Sequence, residues 1–142
     1  MYKNILVAID LNDEASCHKP LLTAVELART FGARLNVLTV VREVEAILQA
    51  KTATLGYELI VADLENRVAA LIRRLNASDL DPSILVAHGA SIYAEILGIA
   101  EEAGADLVVV GSHRLAMKDY LLGTNAGRVV RHARCSVLVA RD

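Results

Sequence analysis

Apolar residues gather along this chain in short solid runs, separated by stretches with helical spacing. The first run is Asn4 to Ile9, Asn-Ile-Leu-Val-Ala-Ile. A run this short, without alternation, predicts a strand buried on both faces. Asp10 ends it, and Asn12-Asp13-Glu14-Ala15-Ser16 then places acidic residues where a helix start favours them. A helix is predicted from there to about Thr30, with Leu21, Leu22, Val25, Leu27 and Ala28 on its apolar face and Gly32 as the C-cap. Pro20 falls early, where a proline costs less than in mid-helix. Arg34 to Val41 reads as the second strand, and Arg42 to Thr54 has no clean period and reads as a loop with some helix.

The alternation continues. Gly56 to Leu75 reads as a long helix with Leu59, Leu64, Val68, Leu71, Ile72 and Leu75 inward and Arg67, Arg73 and Arg74 outward. Asn76 to Ser83, with Pro82, is a connection. Ile84 to Ala87 is the third strand, turned by His88-Gly89. Ser91 to Ala103 is a helix carrying Ile92, Ile96, Leu97 and Ile99, closed by Gly104. Asp106 to Val110 is the fourth strand, Ala126 to His132 a helix, and Ser136 to Ala140 the fifth strand. Strand and helix taking turns in this way predict a doubly wound, mostly parallel α/β sheet with right-handed crossovers.

One stretch stands out for chemistry: Val108-Val109-Val110-Gly111-Ser112-His113-Arg114, continuing to Leu121-Leu122-Gly123-Thr124-Asn125-Ala126. Gly111 lets the backbone turn sharply, or approach something that a Cβ would hold off. Thr124 or Asn125 suits an N-cap, and the helix behind leaves N–H donors and a positive dipole end for an anion. Ligands of open α/β sheets bind beyond the carboxyl ends of the strands where strand order reverses. If the first and fourth strands are neighbours there, Asp10 and Gly111 share one rim, with Thr39 and Val40 close by. The stretch reads as a phosphate-binding loop. A glycine and a cap also occur in βα connections that bind nothing.

Bulk properties narrow the field. The 142 residues, 54% hydrophobic, fit one domain over residues 1–142 with a proper core. A formal net charge of −2 with no basic run argues against a nucleic-acid surface, and 4% aromatics against base-stacking platforms. Cys17 and Cys135 make neither a disulfide framework nor a metal-ligand pattern. Asn4 and Asp10 interrupt the only N-terminal apolar stretch, so no signal-peptide pattern is expected, and no run approaches a membrane span. A cytoplasmic location is the expectation.

The chain resembles the universal stress protein family over essentially its whole length. The resemblance is carried by Ile5-Leu6-Val7-Ala8-Ile9-Asp10, Val86-Ala87-His88-Gly89, Ala105-Asp106-Leu107-Val108-Val109-Val110-Gly111-Ser112-His113, Leu121-Leu122-Gly123-Thr124-Asn125-Ala126 and the ending Val130 to Ala140. It implies an adenine nucleotide alpha hydrolase-like, Rossmann-like fold with strand order 3-2-1-4-5. It also implies binding of ATP, or of ADP or AMP. ATP-binding members have a glycine, two residues, a glycine, nine residues, then glycine with serine or threonine. By position, Gly111 is the first glycine and Gly123 with Thr124 the closing pair. Arg114 stands where the second glycine is expected, the loop is one residue shorter, and Ala8 replaces a proline of some members.

The roles follow from the resemblance. Asp10 would hydrogen-bond adenine or ribose, Ala8 would line the base pocket and Val40 would pack on adenine. Val110, Gly111, His113 and Arg114 would line ribose and phosphates; Gly123, Thr124, Asn125 and Ala126 would wrap the phosphates. With His113, Arg114 and Lys118 as the nearby cations in sequence, a divalent ion such as magnesium is expected to bridge the phosphates. The resemblance further implies a homodimer through Ser136 to Ala140, with tetramers by further stacking.

Each residue also has a duller reading. Asp10 could cap the next helix, His113 could be an exposed loop residue, and Thr124 caps in either case. Val40 could be only a strand end. His88 with Gly89 suits a turn, His132 a helix-dipole contact, and both cysteines packed or idle thiols. Three functions compete: an ATP-binding stress switch or adaptor, a dimeric interaction module without nucleotide, and, ranked last, a slow ATPase or nucleotidyl transferase. For the third, no general base or nucleophilic triad can be assembled beside the phosphates.

Overall fold

The structure, a computed structural model, describes residues 1–42, 53–112 and 124–141, with side chains from residue 56 in the second block and residue 125 in the third. Its elements are β1 (Asn4–Ile9), α1 (Glu14–Phe31), β2 (Arg34–Val41), α2 (Ala53–Arg74), β3 (Ser83–His88), α3 (Ile92–Ala103), β4 (Leu107–Gly111), α4 (Thr124–His132) and β5 (Ser136–Ala140). The strands form one sheet in the order β3-β2-β1-β4-β5, as the resemblance implies. Every described pairing is parallel.

Alternation along β1 divides the core. Ile5, Val7 and Ile9 face one layer with Cys17, Leu21, Ala24 and Val25 of α1 and Val68, Leu71 and Ile72 of α2. Leu6 faces the other, with Ile96 and Ala100 of α3 and Ala126 and Val129 of α4. Two helices therefore cover each face, which explains why β1 and β4 read as solid apolar runs rather than alternating ones. Left-handed glycines at Gly32 (φ 63°) and Gly104 (φ 69°) end α1 and α3 at the expected places.

A polar clamp fixes the amino ends of the central strands. The Asp106 carboxylate accepts the Lys3 N–H at 2.9 Å and the Asn4 N–H at 3.0 Å. Those two amides hold its carboxyl below the ordinary aspartate range. Asn36, only 5% exposed, is satisfied by giving its amide to Asn4 Oδ1 (2.7 Å) and the Ile5 carbonyl (3.1 Å).

Several expectations need correction. Asp106 is the clamp, not a strand residue, and β4 runs one residue further, to Gly111. Helix α2 starts at Ala53 rather than Gly56, and Leu59 is 63% exposed instead of inward. Its spacing fitted the apolar stripe, but packing of α2 against the sheet layer centres on Val68, Leu71 and Ile72. Arg67 is not simply outward: its guanidinium donates to the Leu11 carbonyl at 2.7 Å. The connection after α2 contains a short 3-10 turn, Ser78–Leu80, flanked by positive φ at Asn76 and Asp81. Thr124 and Asn125 lie inside α4, which starts two residues before the expected Ala126.

Candidate functional site

A cavity of about 540 Å³ opens above the carboxyl ends of β2, β1 and β4. The register sets its floor. Ala8 of β1 pairs with Val110 of β4, and with Leu38 two residues before Val40 of β2, so Ala8, Val40 and Val110 share one face of three adjacent strands. Ile92 and Ile96 of α3 and Ala126 of α4 close over them. This is a slot with small and branched apolar walls. Around it stand polar groups: Asp10, Ser16, Arg42, Ser91, Ser112, Asn125 and Arg128.

The turn that carries Asp10 is held from below. The Asp10 carboxylate accepts the Asn12 N–H at 3.0 Å, and its carbonyl accepts the Asp13 N–H at 3.1 Å. The buried Cys17 thiol donates to the same carbonyl at 3.1 Å. Burial pushes that thiol up to about 11, so at neutral pH it stays a proton donor and not a thiolate nucleophile. Arg67 of α2 ties the following residue through its bond to the Leu11 carbonyl, and lies 3.8 Å from the Glu14 carboxylate. Asp10 thus makes a side-chain turn with its own loop. It does not cap α1, whose N-cap is Asp13 without a side-chain cap bond.

Gly111 is favoured by close approach, not by a left-handed turn. A Cβ built there would stand 3.3 Å from Pro20 Cγ and 3.7 Å from the Ser16 carbonyl oxygen. Pro20 has no N–H to give that carbonyl, so α1 and the end of β4 meet where both backbones are bare. Ser112 then donates its N–H to the Ala140 carbonyl at 3.2 Å, tying the exit from β4 to β5.

Of the residues singled out from sequence, Ala8, Asp10, Val40, Val110, Gly111, Asn125 and Ala126 line this one cavity. Thr124 is the first residue of α4, next in sequence to the lining residue Asn125. His113, Arg114, Lys118 and Gly123 lie outside the described residues. Thr39 is buried within β2 and is not among the lining residues. Sequence reasoning missed Arg42, Arg128, Ser16, Pro20, Ser91, Ile92 and Ile96. A signal existed for the two cations: Arg42 directly follows β2, and Arg128 is three residues after Asn125 on the same helix.

The remaining candidates fall elsewhere. His88 is exposed, with Nδ1 2.5 Å from the Tyr57 hydroxyl, and it is the last residue of β3, paired with Val41, rather than a turn residue; Gly89 donates its N–H to the Val41 carbonyl, which continues the β2–β3 ladder. His132 stacks on Tyr93 with ring centroids 6.0 Å apart, in addition to its place in the last turn of α4. Cys135 is a partly buried thiol, also pushed up by burial. Among the described residues no group of three His, Cys, Asp or Glu side chains could hold a metal ion. No described helix is long and apolar enough to cross a membrane.

A model of the universal stress protein family matches residues 1–141. The chain belongs to the universal stress protein family. Universal stress protein G of Escherichia coli O157:H7 is 32% identical to it, covering 99% of this chain and 100% of that protein. The universal stress protein UspA from Lactobacillus plantarum has the same fold, with TM-score 0.71 and 26% identity over 99% of this chain and 98% of its own. A universal stress protein solved in complex with cAMP superposes with TM-score 0.67 at 21% identity, covering 99% of this chain and 97% of that one.

Proposed function

We propose that the cavity takes an adenine nucleotide, ATP foremost, and that the chain serves as a nucleotide-dependent switch or adaptor in the stress response. The observation that carries this reading is the joining of an apolar slot to a polar, cation-bearing rim at the reversal point of the sheet. A flat base fits between Ala8, Val40 and Val110 below and Ile92, Ile96 and Ala126 above. Asp10 stands where it can accept from the base or ribose. Gly111, Thr124, Asn125 and Ala126 take the ribose and phosphate side, with main-chain donors at the start of α4. His113, Arg114 and Gly123 complete that side in the same reading. The family relative solved with cAMP supports an adenine nucleotide as the ligand class.

Asp10 is the one carboxylate among the described lining residues, so magnesium would travel on the phosphates and not in a protein cage. Its part would be to neutralise phosphate charge. Titration calorimetry with ATP and magnesium tests the reading at tens of micromolar protein, where a micromolar site gives a clear isotherm. Binding is expected; the absence of heat rejects it and leaves the second reading. That second reading, a dimeric module without nucleotide, is favoured by Arg114 in place of a loop glycine and by the shortened loop.

Assembly belongs to the same proposal. Strand β5 is the last in the sheet, and Val137-Leu138-Val139 presents a short apolar edge. Pairing of Ser136–Ala140 with the same strand of a second copy would cover it, with tetramers as a further stacking. The expected site of action is the cytoplasm.

A further inference from the structure

The charged groups among the described lining residues are one carboxylate, Asp10, and two guanidiniums, Arg42 and Arg128. Arg42 extends the end of β2, whereas Arg128 projects from α4, the helix whose first turn borders the cavity. The two also differ in what holds them. The guanidinium carbon of Arg128 lies 5.2 Å from the centre of the Tyr93 ring on α3. The same ring stacks on His132, one helical turn beyond Arg128. An arginine over a tyrosine face is attracted by the ring quadrupole without its charge being neutralised. The cation is thereby kept at the mouth of the cavity, with part of its rotamer freedom already surrendered before any ligand arrives.

We propose that Arg128 is the residue by which this cavity reads the phosphate charge of its ligand, leaving the Tyr93 ring for a phosphate oxygen and so favouring ATP over adenosine. The exchange is downhill: a forked guanidinium–phosphate contact is stronger than a solvent-exposed cation–π contact. It also gives the proposed polyanion site a cation in addition to the single carboxylate among the described lining residues. Arg114 occupies the position of a loop glycine, so a cation fixed on the helix supplies charge independently of that loop. The proposal rests on the reading of the slot as an adenine site. What it adds is the residue that ranks adenosine, AMP and ATP.

Dissociation constants for adenosine, AMP and ATP, measured at fixed magnesium and ionic strength, test it on the native chain and on Arg128→Gln, Arg128→Lys and Tyr93→Leu. The preference for ATP over adenosine is expected to fall roughly tenfold in Arg128→Gln, the size of one charge-assisted hydrogen bond. Arg128→Lys should keep part of the preference, since lysine retains the charge without the fork. Tyr93→Leu removes the resting place but not the cation, and its preference should stay above that of Arg128→Gln. A native ATP-to-adenosine ratio in Arg128→Gln overturns the proposal. So does an equal loss for adenosine and ATP, which would make Arg128 a structural clasp between α3 and α4. If the native chain binds none of the three ligands, the adenine reading itself has failed, and the role of Arg128 falls with it.

Discussion

Gly111 and Gly89 look alike in sequence, each closing a strand, but their surroundings are not alike. A methyl group at Gly111 meets the Pro20 ring, which is fixed within α1, and the Ser16 carbonyl. At Gly89 it meets the Glu95 side chain from Cγ outward, and that flexible chain can swing away as a whole. Gly111→Ala is therefore expected to lower unfolding stability by about 1 kcal/mol as overpacking, and Gly89→Ala to stay near native in the same denaturant titration. Asp106 gives a prediction with a sign in pH. Its carboxyl is held low by the amides of Lys3 and Asn4, so its contribution is present above the ordinary aspartate value and lost as pH falls through the lowered one. Asp106→Asn should lose only about 0.5 kcal/mol at pH 7, since solvent screens a carboxyl at the surface, and the gap to the native chain should close on acidification below about pH 3.9. A gap that persists at low pH would mean that shape, not charge, makes the clamp.

Element by element, the strands were the most legible feature. β1 and β2 stand where the hydrophobic runs place them, because a buried parallel strand has no polar face to blur its ends, and the half-buried edge strand β5 matches its run as well. Helix α2 was less legible. Leu59 keeps the apolar spacing but stays largely exposed, while Arg67 leaves the polar face to tie down Leu11. Periodicity gives a face; it does not say how far along the helix that face meets the sheet. The candidate site divides in the same way. Residues at strand ends (Ala8, Asp10, Val40, Val110, Gly111) could be found from topology, since the reversal point is a property of strand order. Arg42 and Arg128 reach the cavity through side-chain length and helix phase, and α3 contributes Ile92 and Ile96 from a segment with no motif. The tie from α2 to the Asp10 turn makes its own prediction. Arg67→Met should loosen the turn and weaken ATP binding several-fold, with a smaller effect on overall stability, measured by titration calorimetry beside thermal unfolding.

At the scale of the whole molecule, the two core layers meet across β1 and β4, and the cavity stands at the end of that seam. A ligand there would touch β1, β2, β4, α3 and α4 together, so occupancy should stiffen the layer that α3 and α4 make with the sheet. ATP at 100 times its dissociation constant should add about 2.7 kcal/mol to unfolding stability. The apolar edge at β5 predicts a dimer by light scattering at tens of micromolar, and a monomer at that concentration would contradict the pairing proposed for Ser136–Ala140. The central claim is that an adenine ring occupies the slot over Ala8, Val40 and Val110. Calorimetric titration of ATP with magnesium into the native chain and into Ala8→Leu tests it most directly, because the added side chain fills the slot from the floor and leaves the rim intact. Binding by the native chain and its loss in a folded Ala8→Leu protein is the predicted result; equal binding by both, or binding by neither, would contradict it.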